Sequence, residues 1–313
     1  MSEPRVKIVY MGTPDFATPA LVALNRAGWT VALAVTQPDR RSGRGRHVAF
    51  TPVKRCASAL GIPVAQPDRI KGNAEFVNRM IDIAPDLIVV AAYGKILPRE
   101  ILEIPSMGCV NIHASLLPKY RGAAPIHRAV EAGERVTGVT LMYMAEDLDA
   151  GDVIASAAVD ITGMNTGRVH DLLASLGADL LMDTLPAIIA GTAIGKPQDH
   201  AAATYASMVR KEEGHIDFAE SADAVERKIR AMNPFPGAYA FLGGTRIKIM
   251  AAHVGTGGFS APGTVLEASG AGIAVSAKDG VVVLDVLQAP GKKPLAASEY
   301  LKGACIDTTD VFR

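Results

Sequence analysis

Asn111 and His113 stand two residues apart in the run Cys109-Val110-Asn111-Ile112-His113, which reads as the end of a strand. Side chains two apart on a strand leave the same face, so a carboxamide and an imidazole can converge on one atom. Downstream, Leu148-Asp149-Ala150-Gly151-Asp152 reads as a turn before another strand. Its Asp149 supplies a carboxylate that can orient an imidazole or raise its affinity for a proton. An amide donor and a histidine can stabilise the oxyanion of a tetrahedral intermediate, while a His/Asp pair manages the proton of an attacking amine. This is equipment for acyl transfer, with no evident need for a metal or a covalent intermediate. The same three residue types also fit a histidine buried for packing and satisfied by backbone, so both readings stand at this point.

The elements that must hold these residues alternate. Strands are predicted near 6–10, 30–36, 63–66, 86–92 and 108–113, with helical stretches such as 15–27 and 73–83 between them. Such alternation implies parallel βαβ units, and ligands of open α/β sheets bind at the carboxyl ends of the strands, where Asn111 and His113 lie. A helix is expected at about 166–190. The small, turn-forming residues Ala190-Gly191-Thr192-Ala193-Ile194-Gly195-Lys196-Pro197 then read as a linker. The expected division is a domain over 1–189, a linker over 190–208 and a second domain over 209–313. Beyond the linker, a helix at 221–232 and short glycine-punctuated strands near 238–242, 246–250, 263–266, 273–276 and 281–286 point to a small β-barrel. The fold class is therefore α/β, a Rossmann-like sheet domain followed by a smaller barrel.

Composition narrows the classes of function. The 313 residues carry 32 basic and 32 acidic side chains, so any contact with nucleic acid must come from local patches. Acidic and basic side chains also balance within 210–313, which leaves the second domain without an overall attraction for RNA. Three scattered cysteines and no HExxH pattern suggest neither a disulfide framework nor a metal site. No signal-like segment precedes the first strand, and no apolar run is read as long enough for a bilayer, so a cytoplasmic protein is expected. The absence of an interface signature suggests a monomer. The turn Gly12-Thr13-Pro14-Asp15 is not GxGxxG, which argues against a dinucleotide.

One loop is locally basic. Asp39-Arg40-Arg41-Ser42-Gly43-Arg44-Gly45-Arg46-His47 concentrates arginines among glycines, a composition suited to a segment that meets phosphate or bases. An ordinary solvated loop would have the same composition.

Several motifs in order carry a resemblance: Gly12-Thr13-Pro14-Asp15-Phe16-Ala17, Thr36-Gln37-Pro38-Asp39-Arg40, Tyr93-Gly94-Lys95-Ile96-Leu97-Pro98, the stretch 111–125, and Leu148-Asp149-Ala150-Gly151-Asp152. Tyr205-Ala206, Lys211-Glu212-Glu213, Ile216-Asp217 and Ile229-Arg230-Ala231-Met232-Asn233-Pro234 continue it. Together they resemble the methionyl-tRNA formyltransferase family over nearly the whole chain. The resemblance implies a formyltransferase domain joined to an OB-fold-like barrel that binds tRNA. It also implies formyl transfer from 10-formyltetrahydrofolate to the amine of initiator methionyl-tRNA. Asn111, His113 and Asp149 would be the catalytic group. Ser115, Leu116, Leu117 and Pro118 would contribute to the folate site, with Tyr93, Gly94, Ile96 and Leu97 lining its pterin pocket. Phe16 would border the methionyl group, and Arg40, Arg41, Arg44, Arg46 and Lys211 would meet the tRNA. Asp147 and Ala150 depart from the glycine and threonine expected around Asp149, which touches local geometry more than chemistry.

Overall fold

The computed structural model describes residues 6–42 and 47–313. They divide into two compact units, one of Met1–Pro125, Val136–Asp160 and His170–Ala206, the other of Ile126–Arg135, Ile161–Val169 and Ser207–Arg313. Residues 190–206 of the expected 190–208 linker thus fall in the first unit.

The first unit begins with β1 (Lys7–Gly12), α1 (Thr18–Arg26) and β2 (Thr30–Val35), then a short hairpin of β3 (Arg40–Ser42) and β4 (His47–Ala49). There follow α2 (Pro52–Ala59), β5 (Val64–Ala65), α3 (Ala74–Ile83), β6 (Leu87–Ala91), α4 (Arg99–Leu102), β7 (Cys109–His113) and β8 (Arg121–Gly122). After α5 (Pro125–Ala132), which from Ile126 belongs to the second unit, come β9 (Val136–Tyr143), β10 (Val153–Asp160), the long α6 (Thr166–Ile189), which joins this unit from His170, and β11 (Tyr205–Ala206). The main sheet runs β10-β9-β7-β6-β1-β2-β5. Its five strands from β7 to β5 are parallel, and β9 and β10 add antiparallel pairings at one edge. Strand order reverses between β1 and β6, so their carboxyl ends frame the crevice of a doubly wound sheet.

Alternation along the strands sorts the two faces. Val9, Met11, Leu33, Val35, Ile88, Val90 and Cys109 pack with Phe76 and Met80 of α3 and Ile101 of α4. Asn111 and His113 continue the Cys109 side of β7 beyond that core. Ile112 faces the other way, towards α6, where a Cβ on Gly177 would come 2.7 Å from Ile112 Cγ2. Glycine lets the helix approach that closely. One expectation needs correcting here: α6 is long and apolar enough to span a bilayer by length and composition. Its sequence is nevertheless striped, with Leu173, Ala178, Leu181, Leu185 and Ile188 buried and Asp171, Asp179 and Asp183 exposed, the pattern of a helix lying against a core.

The second unit contains α7 (Ala222–Ala231), capped by the Ser221 hydroxyl accepting from Ala224 N at 3.2 Å. Its strands are β12 (Tyr239–Leu242), β13 (Thr245–Gly255), β14 (Val265–Ser269), β15 (Gly272–Ser276), β16 (Val281–Gln288) and β17 (Leu295–Ala296), followed by α8 (Ala297–Tyr300). The sheet runs β12-β13-β16-β15-β14 and is antiparallel throughout. Register shifts near Ala251 bend β13, which is much longer than its sequence suggests. The last residues bridge both edge strands: Phe241 and Arg313 exchange backbone hydrogen bonds at 2.6 and 2.8 Å, and Val265 N donates to Asp310 O at 3.0 Å. That pairing covers part of each edge strand and curls the sheet towards a barrel.

Candidate active site

Three loops at the carboxyl edge of the main sheet are tied together at one carbonyl. Thr13 Oγ1 and Gln37 Nε2 each donate to Tyr93 O at 2.9 Å, linking the turns after β1, β2 and β6. Gly12 sits where a Cβ would come 2.6 Å from Ala17 Cβ and 2.9 Å from Ala91 O, so no larger residue fits the first of these turns. The motifs 12–17, 36–40 and 93–98 therefore meet along one edge.

At the neighbouring strand end, Asn111 and His113 are buried, 9% and 6% exposed. Among the described residues the Asn111 carboxamide makes no hydrogen bond, which leaves it to whatever occupies the crevice. His113 Nε2 lies 2.9 Å from Tyr120 O. A carbonyl only accepts, so Nε2 carries a proton. Nδ1 faces Asp149 Oδ2 at 3.7 Å, long for a hydrogen bond, and the two attract as charges only when the ring carries a second proton. Asp149 Oδ2 in turn accepts from Gly122 N at 2.8 Å. Tyr120 and Asp149 both adopt left-handed backbone conformations, φ 61° and 49°. For non-glycine residues this costs roughly 1–2 kcal/mol each, so the surrounding contacts must hold both in place.

Those contacts come from a segment whose composition does not announce them. Gln198 Nε2 donates to Asp149 O at 2.9 Å and to Gly151 O at 2.7 Å. Its Oε1 accepts from Arg121 Nε at 3.1 Å and Nη2 at 2.7 Å. Arg121 is buried, and among the described residues it has no carboxylate partner; it also contacts His200 Nδ1 at 3.3 Å. Further along, Thr204 O accepts from Arg121 N, and Ala206 O accepts from Ala123 N at 2.9 Å. None of Arg121, Gln198 or Thr204 was a candidate from sequence.

The remaining candidates fall in several places. Ser115 is fully buried, its hydroxyl donating to Lys119 O at 2.7 Å, while Leu116, Leu117 and Pro118 are half-buried beside it. The side chains of Tyr93 and Leu97 join the sheet core, which leaves the exposed Gly94 and Ile96 as the open part of this loop. Among the described residues the Tyr93 hydroxyl has no partner, and burial pushes its pKa up to about 12. Phe16 is also turned inward, its ring edge-on to His170 at 5.7 Å, which leaves little of it for a methionyl group. Arg40 and Arg41 lie in the β3–β4 hairpin, whereas Arg44 and Arg46 lie outside the described residues. Immediately before that hairpin in sequence, Asp39 pairs with Lys54 and accepts from Gln66 Nε2 at 2.8 Å. Burial raises the Asp39 carboxyl, but these hydrogen bonds outweigh it and leave it below its ordinary value. Lys211 is exposed and belongs to the second unit.

The formyl transferase family matches residues 5–185, and the formyl transferase C-terminal domain matches residues 208–304. The chain belongs to the formyl transferase family. Methionyl-tRNA formyltransferase of Variovorax paradoxus is 47% identical over 95% of this chain and 96% of its own length. The protein of the same name from Moorella thermoacetica is 48% identical over 95% of this chain and 96% of its own. Among solved structures, HypX of Aquifex aeolicus in complex with tetrahydrofolic acid superposes with a TM-score of 0.66, at 18% identity, over 97% of this chain and 49% of that one. Family membership makes this protein a formyltransferase enzyme that uses a folate-derived donor, with a Rossmann-like sheet and an OB-like barrel.

Proposed function

We propose that the enzyme moves the formyl group of 10-formyltetrahydrofolate to the free amine of initiator methionyl-tRNA, making N-formylmethionyl-tRNA for translation initiation. The observation that carries this reading is the disposition of Asn111, His113 and Asp149 at the carboxyl end of β7. Full-length relatives that bear the methionyl-tRNA name support the acceptor.

In this mechanism the neutral amine attacks the formyl carbon. A carbon–nitrogen bond forms to the acceptor, the bond to the donor nitrogen breaks, and one proton passes from the amine to the departing folate. Asn111 donates its unengaged carboxamide N–H to the developing oxyanion. His113 Nδ1 is the ring nitrogen free to take up the proton, and Asp149 stabilises the resulting imidazolium. For His113 to share the oxyanion as well, its Nε2–H must exchange Tyr120 O for the formyl oxygen. The loops 93–97 and 115–118 supply the folate site. Arg40, Arg41, Arg44 and Arg46, with Lys211 on the barrel, contact tRNA.

Transfer from labelled 10-formyltetrahydrofolate is measured with methionyl initiator tRNA, uncharged tRNA, free methionine and an amino sugar nucleotide in parallel. Label on the charged tRNA alone is expected. Label on the sugar nucleotide would overturn the acceptor, and label nowhere would favour a noncatalytic folate- or RNA-binding module.

A further inference from the structure

We infer that Gln198 is a positioning residue for the Asp149 carboxylate, acting as a clip between the two loops that flank His113. The inference rests on the formyl-transfer reading of this site and assigns a role in it to a segment that composition marks as a tether. A carboxamide has two donors and an oxygen with two acceptor sites, and in Gln198 all four are used. The donors hold Asp149 O and Gly151 O at 2.9 and 2.7 Å, and the oxygen holds the Arg121 guanidinium at 3.1 and 2.7 Å.

Arg121 is followed directly by Gly122, whose N–H binds the Asp149 carboxylate at 2.8 Å. It is preceded by Tyr120, whose carbonyl meets His113 Nε2 at 2.9 Å. One side chain therefore closes a ring through both supports of the His113/Asp149 pair. The ring has something to resist, because Tyr120 and Asp149 are the left-handed residues on either side of it. Gly151 presses the same turn onto β9, since a Cβ there would come 1.9 Å from Tyr143 O. Gln198 is only 6% exposed, which keeps water from competing for these bonds.

Gln198→Glu separates this role from simple packing. The substituted carboxylate keeps the size of the side chain and its partner Arg121, but it presents an oxygen to two carbonyls and so releases the 149–151 turn. Turnover is expected to fall about 10- to 100-fold, the scale of small misplacements at an active site, with KM for the folate donor within about 2-fold. If Gln198 acts through Asp149, the same change in an Asp149→Asn background costs less than about 3-fold more, because coupled residues are not additive. An equal loss in both backgrounds, a loss confined to KM, or unchanged turnover in Gln198→Glu would overturn the role. Should a thermal melt find Gln198→Glu unfolded, the cycle is run with Gln198→Asn, which keeps the amide but is too short to span both loops. Amide exchange tests the clip without turnover, and so independently of the acceptor: Gly122 N–H should lose protection in the variant while β1 amides keep theirs. Unchanged Gly122 protection would also overturn it.

Discussion

His113 in the first unit and Asn233 in the second are both buried polar side chains, 6% and 1% exposed, yet their surroundings treat them differently. Asn233 Nδ2 donates to Ile229 O at 2.7 Å and Ile249 O at 2.9 Å, pinning the end of α7 to β13. Among the described residues its Oδ1 finds no partner, and it is sealed from solvent, beyond the reach of a ligand. At His113 the second ring nitrogen lies 3.7 Å from its carboxylate, and among the described residues the neighbouring Asn111 amide makes no hydrogen bond. Buried polar groups are ordinarily satisfied, so polarity that is closed reads as architecture and polarity left open beside a crevice reads as chemistry. In the second unit the Asn233 amide nitrogen is spent on closure and its oxygen is sealed in, whereas the first unit keeps polar atoms in reserve, open beside the strand ends.

Removing the reserved group should give the largest effect. His113→Ala is expected to lower kcat by about 100- to 10,000-fold, the range for a general base, with donor affinity nearly unchanged. Steady-state kinetics beside equilibrium folate binding checks this. An equal loss in both would make His113 a binding residue and erase the contrast with Asn233.

The converse test strikes the barrel. Leu284 lies on β16 between β13 and β15 and is fully buried. Leu284→Ala should destabilise the barrel by roughly 2–5 kcal/mol through lost burial and an unfilled cavity, read in its urea transition. Turnover per folded molecule should stay within about 2-fold, since distant changes that touch no reacting group are usually separable. Turnover falling in step with stability would mean the barrel sets the chemistry too.

How much of this was legible in advance follows from which interactions are local. Strand alternation put Asn111 and His113 on one face, and a turn signature isolated Asp149, because both are properties of a few consecutive residues. The helix from 166 was readable for the same reason. Gln198 was not: a single glutamine after Lys196-Pro197 looks like any linker residue, and its meaning comes from loops distant in sequence. Arg121 was inside a recognised stretch, but nothing there says that its partner is an amide oxygen. The barrel's closure by 310–313 depends on a segment too short to show a strand pattern. The inward turn of Phe16, Tyr93 and Leu97 was hidden because an apolar residue beside a site can line the ligand or the core, and sequence does not separate the two.

The smallest predicted effect sharpens the comparison on the side of the second unit, whose charges balance overall. Lys211 is exposed, and the acid two residues on, Glu213, is already engaged: Arg128 Nη1 holds it at 2.7 Å, and Arg210 N donates to it at 2.7 Å. Those bonds hold the Glu213 carboxyl below its ordinary value despite some burial. Glu212 beside Lys211 is also exposed, but among the described residues Lys211 itself is held in no ion pair, so a neutral surface can still present this cation to a phosphate. Lys211→Ala should raise KM for methionyl-tRNA several-fold and flatten its dependence on log salt by about 1, the signature of one lost phosphate contact, with kcat unchanged. An unchanged salt slope would remove Lys211 from the tRNA surface and leave the arginine loop to carry the electrostatics. A fall in kcat would be more damaging, because it would give a barrel residue the influence over turnover that the comparison reserves for the sheet.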